Sequence, residues 1–299
     1  MDNIVFMMLV LIVGLCLGSF YNVVILRSLS GESVVFPPSK CPKCGTRLKP
    51  WHNIPVLSYI MLRGKCAFCK EKISIQYPIV EAITGLIFVA VYMKFGLSHI
   101  TLFALFYLSC LIIMTGTDIK EKMVDCRYAI AMIIVGVIYA FFVDGWSCVA
   151  DSVIGAVLGF VIIELIARIG CLLKKGRAMG EADSYVAAAL GAAVGYHDLC
   201  SVLIYALFAS MFFVLPVFWY KRYKEKDVWT FFFSSLFIIS IALNIFYRQA
   251  LWSLILLIIT GILLAYMVIK NLKTKTEMDY LPFVPALSAG MLYYIIFVL

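Results

Sequence analysis

Long runs of apolar residues are the feature that most limits what this chain can fold into. About 20 apolar residues cross the hydrocarbon of a bilayer, and a lipid-exposed backbone must satisfy its hydrogen bonds as helices or closed barrels. Only 14% of the 299 residues are charged, against about a quarter in soluble proteins. We therefore predict an all-α, multi-pass membrane protein with about ten transmembrane helices. The predicted spans are 4–26, 79–95, 99–117, 128–143, 150–173, 184–198, 199–220, 228–247, 251–270 and 282–298.

The basic residues predict which ends of these spans face the cytoplasm. If the N-terminus lies outside, every one of the 25 Lys and Arg residues except Lys94 and Arg248 falls on the inner side. Cytoplasmic loops of membrane proteins carry such an excess. The net charge of +8 is therefore assigned to loops, and because no basic patch contains interleaved aromatic residues, we expect no nucleic-acid partner. The first run lacks a basic leading segment and a small-residue cleavage site, so we predict a retained helix.

One soluble insert, residues 27–78, separates the first two spans and contains two paired cysteine motifs. Two C-x-x-C pairs at this distance supply four thiolates, which suits structural zinc. Two disulfides are the alternative, but thiols stay reduced in the cytoplasm. We predict knuckle turns at Gly45 and Gly64, a surface position for His52, and a packing role for the six other cysteines. The predicted zinc ligands are Cys41, Cys44, Cys66 and Cys69.

Two aspartates lie at the cytoplasmic ends of predicted spans, and carboxylates near membrane helices are functional candidates. Asp118 ends the third span, and Asp183 begins the sixth. Either aspartate alone, with lysines beside it, is more often a loop charge at the membrane surface. If the two spans pack together, however, the carboxylates cannot both ionise, so one acts as an acid while the other activates water. Glu164 and Arg168 are four residues apart and predict a structural ion pair.

Several segments resemble one known family. Residues 14–25 read G-L-C-L-G-S-F-Y-N-V-V-I, residues 77–81 read Y-P-I-V-E, and residues 282–287 read P-F-V-P-A-L. With the four cysteines and the aspartates Asp118, Asp125 and Asp183, these segments are similar to the bacterial type IV prepilin peptidases, the leader peptidase/N-methyltransferase family. The resemblance runs nearly from end to end of the chain.

The resemblance implies a function and a location. The family removes the leader of prepilins or pseudopilins, the substrates of type IV pilus and type II secretion systems, after a glycine. It does so at the cytoplasmic face of the bacterial inner membrane, with Asp118 and Asp183 as the catalytic pair. Bifunctional members also methylate the new N-terminus from S-adenosylmethionine, and we associate Glu81 with that cofactor. The expected partners are these substrates and the lipid bilayer.

The sequence also departs from the family pattern. Ala182 replaces the second glycine of G-x-G-D, which would cost about 1 kcal/mol if that position needs positive φ. The loop before Asp125 lacks the usual proline, and two spans exceed the family's usual eight. A catalytically silent homologue and a non-enzymatic zinc-binding membrane protein are the alternatives. We divide the chain into a first helix (1–26), the zinc-binding insert (27–78), a protease core (79–198), a two-helix insertion (199–248) and C-terminal helices (249–299).

Overall fold

A computed structural model describes residues 2–36, 38–173, 180–224, 228–246 and 283–299, with short pieces at 252, 255–256, 259–263 and 266. This part of the chain is helical and contains no strand; its only extended pairings are two isolated bridges in the insert. A 3-10 helix, Pro50–Asn53, precedes α2, and a π-helical turn, Tyr294–Val298, follows α8. The α-helices are α1 (Asp2–Ser30), α2 (Leu57–Met61), α3 (Gln76–Phe95), α4 (His99–Glu121), α5 (Cys126–Leu173), α6 (Glu181–Lys224), α7 (Val228–Phe246) and α8 (Val284–Tyr293).

Within the described residues, 5 helices are long and apolar enough to cross a membrane, namely α1, α3, α4, α5 and α6. The all-α prediction is confirmed, whereas the count of ten spans is not. Two of the long helices each contain two predicted spans, and most of the predicted span 251–270 lies outside the described residues.

Helix α5 reverses direction at Asp144 and Gly145, whose backbone angles are non-helical. The hydroxyl of Ser152 donates to the carbonyl oxygen of Ala192 over 2.7 Å, and a Cβ added to Gly136 would lie 2.9 Å from the same oxygen. In an unbroken helix, positions 136 and 152 would stand about 24 Å apart. The two halves of α5 therefore run antiparallel on either side of the first half of α6.

Helix α6 reverses at Gly195, where φ is +74°. The hydroxyl of Tyr294, beyond the end of α8, donates to Asp198 over 2.8 Å. Farther along α6, Ala206 packs against Gly290 of α8. The second half of α6 is thus antiparallel to α8. Positive φ is readily adopted only by glycine, so Gly195 allows this sharp reversal without backbone strain.

Small residues bring α5 and the first half of α6 into backbone contact. A Cβ added to Gly155 would meet the carbonyl of Gly191, and one added to Gly159 would meet that of Ala187. Such contacts are typical of helix pairs in membranes, where small residues let backbones approach closely. The G-x-x-x-G spacing of Gly155 and Gly159 and the small residues of 187–195 predict such packing from the sequence alone, and these contacts confirm it. Its consequence is that the start of α6, which carries Asp183, is held at a fixed level against α5.

Helices α1 and α3 pack antiparallel through another close approach. A Cβ added to Gly18 would lie 2.7 Å from the Cα of Glu81. The side-chain amide of Asn22, which is 1% exposed, donates to the carbonyl of Tyr77 over 3.1 Å. The end of α1 and the start of α3 therefore meet where the insert begins and ends.

Candidate active site

The four predicted cysteine ligands converge in the insert. Their sulfur atoms all lie within 4.8 Å of one another, and the sulfurs of Cys41 and Cys69 are 3.9 Å apart. Zn–S bonds of about 2.3 Å in a tetrahedron require sulfur separations of about 3.8 Å. The cluster can therefore hold a metal ion, and its four sulfurs would close the coordination shell of a zinc ion. Hydrogen bonding with Thr46 lowers the pKa of the Cys44 thiol to about 6, which favours the thiolate that a metal binds.

The two knuckle turns are alike, but their left-handed residues are not both glycine. Gly45 has φ +69° after the first cysteine pair, as predicted, whereas Lys70 has φ +60° after the second. The predicted need for a permissive backbone at Gly64 is confirmed, but the turn there is not the knuckle itself. The φ of Gly64 is also positive, but this residue precedes Cys66 and closes the turn after α2 by donating to the carbonyl of Tyr59. His52 is half-buried rather than a surface residue, with its ring edge-on to Phe68.

Glu81 connects this insert to the helix bundle. Its side chain is buried in α3 and accepts a hydrogen bond of 2.7 Å from the backbone N–H of Val56, the residue before α2. Ser19 of α1 is a second polar neighbour of this carboxylate. Burial of a carboxylate is costly unless polar groups satisfy it, and here those groups come from the insert and from α1. The structure therefore gives Glu81 a positioning role for the insert.

Asp118 lies in the last turn of α4 and is 1% exposed. Its Oδ2 accepts a hydrogen bond of 3.2 Å from the backbone N–H of Val284, the first residue of α8. The positive end of the α8 dipole thus points at this carboxylate. Its buried Oδ1 has no hydrogen-bond partner among the residues that the structure describes. A buried oxygen of this kind is available to a proton, a water molecule or a substrate group.

Asp183 lies in the first turn of α6 and is also 1% exposed. Its Oδ2 accepts a hydrogen bond of 3.0 Å from the backbone N–H of Gly180, which immediately precedes the helix. This reach back from the third helical residue resembles the acidic half of a capping box. Ala182 is not among the described residues with positive φ, so the strain that a positive φ would cause is absent at this position. The α6 helix begins at Glu181, so Ala182 lies in its first turn. Alanine has the highest helix propensity of all residues.

A second acidic side chain contacts the residue after Asp183. The hydroxyl of Ser184, which is fully buried, donates to Glu164 of α5 over 3.2 Å. The other oxygen of Glu164 accepts from Arg168 at 3.0 Å, so the predicted ion pair is confirmed. The link to Ser184 was not predicted, because Ser184 and Glu164 are far apart in sequence. The arrangement fixes the first turn of α6 against α5.

Both aspartates lie at the same end of the helix bundle. Helices α4 and α5 are antiparallel, since the hydroxyl of Tyr107 donates to the carbonyl of Met132 and, farther from the junction, the ring of Phe103 stacks on Tyr139. The start of α5 lies beside the start of α6, where Cys126 is within electrostatic range of Glu181. Helix α8 packs against both α4 and α6, and Thr115 and Ser288 share a hydrogen bond of 2.8 Å.

A cleft of about 190 Å³ opens at this end and is lined by Ser28, Thr117, Met123, Val124 and Asp125.

Asp125 differs from the two buried aspartates. It forms an ion pair with Arg127 at the start of α5, and hydrogen bonds from this arginine lower the pKa of the Asp125 carboxyl. A carboxylate held ionised by a neighbouring guanidinium is suited to anchoring positive charge or an amide at the cleft. It is poorly suited to donating a proton.

Family models cover most of the described helices. The model for the bacterial peptidase A24 N-terminal domain matches residues 12–95, which include the cysteine insert and Glu81. The model for the type IV leader peptidase family matches residues 105–218, which include both buried aspartates and both halves of α6. The second match crosses residue 199, where we placed the start of an inserted pair of helices. No solved structure shows a significant match to the chain.

Three curated relatives share the name prepilin leader peptidase/N-methyltransferase. The protein from Myxococcus xanthus is 36% identical over 206 residues, a match of 69% of this chain and 60% of that protein. The one from Neisseria gonorrhoeae is 36% identical over 218 residues, covering 65% of this chain and 76% of the relative. The one from Pseudomonas putida is 30% identical over 226 residues, with coverage of 68% and 78%. The chain belongs to the type IV leader peptidase family.

Proposed function

We propose that this protein hydrolyses the leader peptide of type IV prepilins or pseudopilins, with Asp118 and Asp183 as its acid–base pair. The observation that carries the proposal is the burial of both carboxylates at one end of the bundle, each held by a backbone N–H at a helix start. A structural charge at a membrane surface would remain hydrated instead. The names of the curated relatives support the substrate class.

Two carboxylates that approach closely share one proton, and we propose that Asp118 and Asp183 use such a proton for peptide hydrolysis without a covalent intermediate. The ionised carboxylate takes a proton from water, and the water oxygen attacks the scissile carbonyl carbon. The protonated carboxyl gives its proton to the carbonyl oxygen. As the tetrahedral intermediate collapses, one of its hydroxyls returns a proton to the carboxylate that had protonated the carbonyl oxygen, and the C–N bond breaks. The departing amine takes up the proton that was abstracted from water, so the pair again holds one proton. The unpartnered Oδ1 of Asp118 supports a role in contacting that water.

Methyl transfer to the new N-terminal amine is the second proposed activity, because the curated relatives carry N-methyltransferase in their name. S-adenosylmethionine would supply the methyl group, and Glu81 remains the residue that we propose to bind this cofactor. Zinc in the four-cysteine cluster would hold the insert in shape. By the excess of Lys and Arg at the aspartate end, we propose that this end faces the cytoplasm of a bacterial inner membrane.

Purified full-length protein incubated with a synthetic prepilin peptide tests both activities. We expect mass spectrometry to show cleavage after a glycine without added cofactor, and a product 14 Da heavier, the mass of one CH₂, when S-adenosylmethionine is present. Glu81→Gln should reduce the methylated product more than cleavage. A protein that folds and binds zinc but leaves the peptide intact would support the silent-homologue alternative, which had been motivated by Ala182.

The contact between Ser184 and Glu164 predicts a positioning effect on Asp183. Glu164→Gln keeps an acceptor for the serine hydroxyl but loses the charge that binds Arg168, whereas Glu164→Ala removes both. We expect the alanine variant to lower kcat by roughly 10-fold with little change in KM, and the glutamine variant to recover most of that loss. Equal loss in both variants, or a change in KM alone, would argue against positioning. Arg168→Gln is the matched control for the exposed ion pair, which we expect to contribute little.

A further inference from the structure

The short helix α2 presents apolar side chains that no described residue covers. Leu57, Ile60 and Met61 are 59%, 64% and 80% exposed. Residues three and four positions apart lie on one side of a helix, so these side chains form a single surface, which we call the α2 face. The helix, with sequence L-S-Y-I-M, contains no charged residue. Exposed apolar surface of this kind marks an interaction site.

The hydrogen bond between Val56 and Glu81 fixes the level of α2 along the bundle. Val56 immediately precedes α2, and Glu81 lies five residues after Gln76, the start of α3. At 1.5 Å per residue, Glu81 is about 7 to 8 Å inside that helix. Helix α3 is apolar and long enough to cross a membrane. Near this level it exposes Ile79 and Ile83, which are 46% and 48% accessible. The α2 helix therefore begins beside the outer turns of a spanning helix.

The insert around α2 is strongly basic. Its only acidic residue between positions 40 and 72 is Glu71, whereas eight residues are basic. Anionic phospholipid headgroups attract such segments by about 1 kcal/mol for each Lys or Arg near the surface. The basic residues are Lys40, Lys43, Arg47, Lys49, Arg63, Lys65, Lys70 and Lys72.

We propose that the α2 face lies in the boundary between headgroups and acyl chains of the membrane that the long helices span, with the basic residues on anionic headgroups. An apolar helix face flanked by Lys and Arg is the pattern of interfacial helices. The level set by Val56 and Glu81 is that of the first turns of α3, where Ile79 and Ile83 are exposed, so we take the lipid surface as the occupant of the α2 face. The insert is then held at two points, by Glu81 on the bundle side and by the bilayer on the other.

Fluorescence of a single indole at the α2 face tests the proposal on the full-length protein. The background replaces the five native tryptophans with phenylalanine, and Met61→Trp introduces the probe. Nanodiscs contain phosphatidylcholine with or without phosphatidylglycerol, and lipids brominated near the headgroup or near the bilayer centre. We expect blue-shifted emission that is quenched several-fold more by the shallow bromines, with stronger quenching when phosphatidylglycerol is present. Emission typical of water-exposed indole, unaffected by either brominated lipid, would overturn the proposal and favour a protein partner.

Two further variants separate the apolar and charged contributions. Leu57→Ser with Ile60→Ser should reduce shallow quenching at least twofold, and Arg63→Gln with Lys65→Gln should abolish its dependence on phosphatidylglycerol. Quenching that ignores both changes would overturn the interfacial placement. Zinc content reports whether each variant folds. If a variant loses zinc, hydrogen exchange of residues 54–62 in the unaltered chain replaces it: slower exchange with phosphatidylglycerol supports the proposal, and equal exchange contradicts it.

Discussion

Asp118→Asn and Asp183→Asn will each abolish detectable leader removal while the protein stays folded in the membrane. The amide preserves side-chain volume and can still accept the backbone hydrogen bond from Val284 or Gly180. It cannot take up or release a proton in the relevant range, so the acid–base contribution is lost. That contribution is worth roughly 10²- to 10⁴-fold in rate. Cleavage of a prepilin peptide by each purified variant, followed by mass spectrometry, measures the effect.

Asp144→Asn is the matched control for this pair. Asp144 is exposed at the reversal of α5, at the opposite end of the bundle from Asp118 and Asp183. We expect its activity to equal that of the unaltered protein. Membrane levels and zinc content of all three variants should also be unchanged. Cleavage that persists in either Asp118→Asn or Asp183→Asn would exclude the proposed acid–base pair, whatever the outcome for the control.

Cys66→Ser will remove bound zinc and unfold the insert without unfolding the helix bundle. Cys66 is 4% exposed and supplies one of four sulfurs within 4.8 Å of each other. Structural zinc contributes about 10–16 kcal/mol of apparent binding free energy in small domains. An insert of this size buries too little apolar surface to fold without that contribution. Elemental analysis should report one zinc per unaltered chain and none in the variant, with faster hydrogen exchange across residues 40–72.

Cys200→Ser is the matched control, because Cys200 is exposed on α6 and far from the cluster in sequence. The Cys200→Ser variant should keep its zinc and show the same hydrogen exchange across residues 40–72 as the unaltered protein. Zinc retained in Cys66→Ser, or an insert whose exchange does not change after zinc is lost, would contradict the structural role. Asn22 and Gly18 pack α1 on α3 independently of the cysteines, so exchange in those helices should be unchanged.

The parts of the site that could be predicted from sequence are those with a local pattern. The C-x-x-C spacing identified the four sulfurs, glycine at Gly155 and Gly191 identified a backbone contact, and the four-residue spacing of Glu164 and Arg168 identified their ion pair. Each pattern lies within one segment or follows a fixed helical period. Physical chemistry then links the pattern directly to a contact.

Other features depend on contacts between distant segments and have no such signal. The donor to Asp118 is a backbone N–H of Val284, and every residue except proline has a backbone N–H. The hydrogen bond that Glu81 accepts from the backbone N–H of Val56 likewise depends on how the insert folds back onto α3. Lys70 occupies a left-handed turn position where glycine is the usual residue. A lysine gives no sequence signal for a positive φ, so this turn could not be predicted. At Ala182 the family pattern predicted a possible strain that is absent, because this residue has a helical conformation.

The main-chain contact between Gly155 and Gly191 determines how precisely Asp183 can be held. Side chains that interdigitate can change rotamer and allow two helices to slide by fractions of an ångström. Two peptide backbones in direct contact have no rotamers to change, so the contact restricts axial sliding of α6 against α5 more than interdigitating side chains would. Asp183 lies about two turns before Gly191 on the same helix, so the contact also restricts axial displacement of Asp183. We therefore expect the carboxylate of Asp183 to fluctuate less in position than side chains on the loops at this end of the bundle.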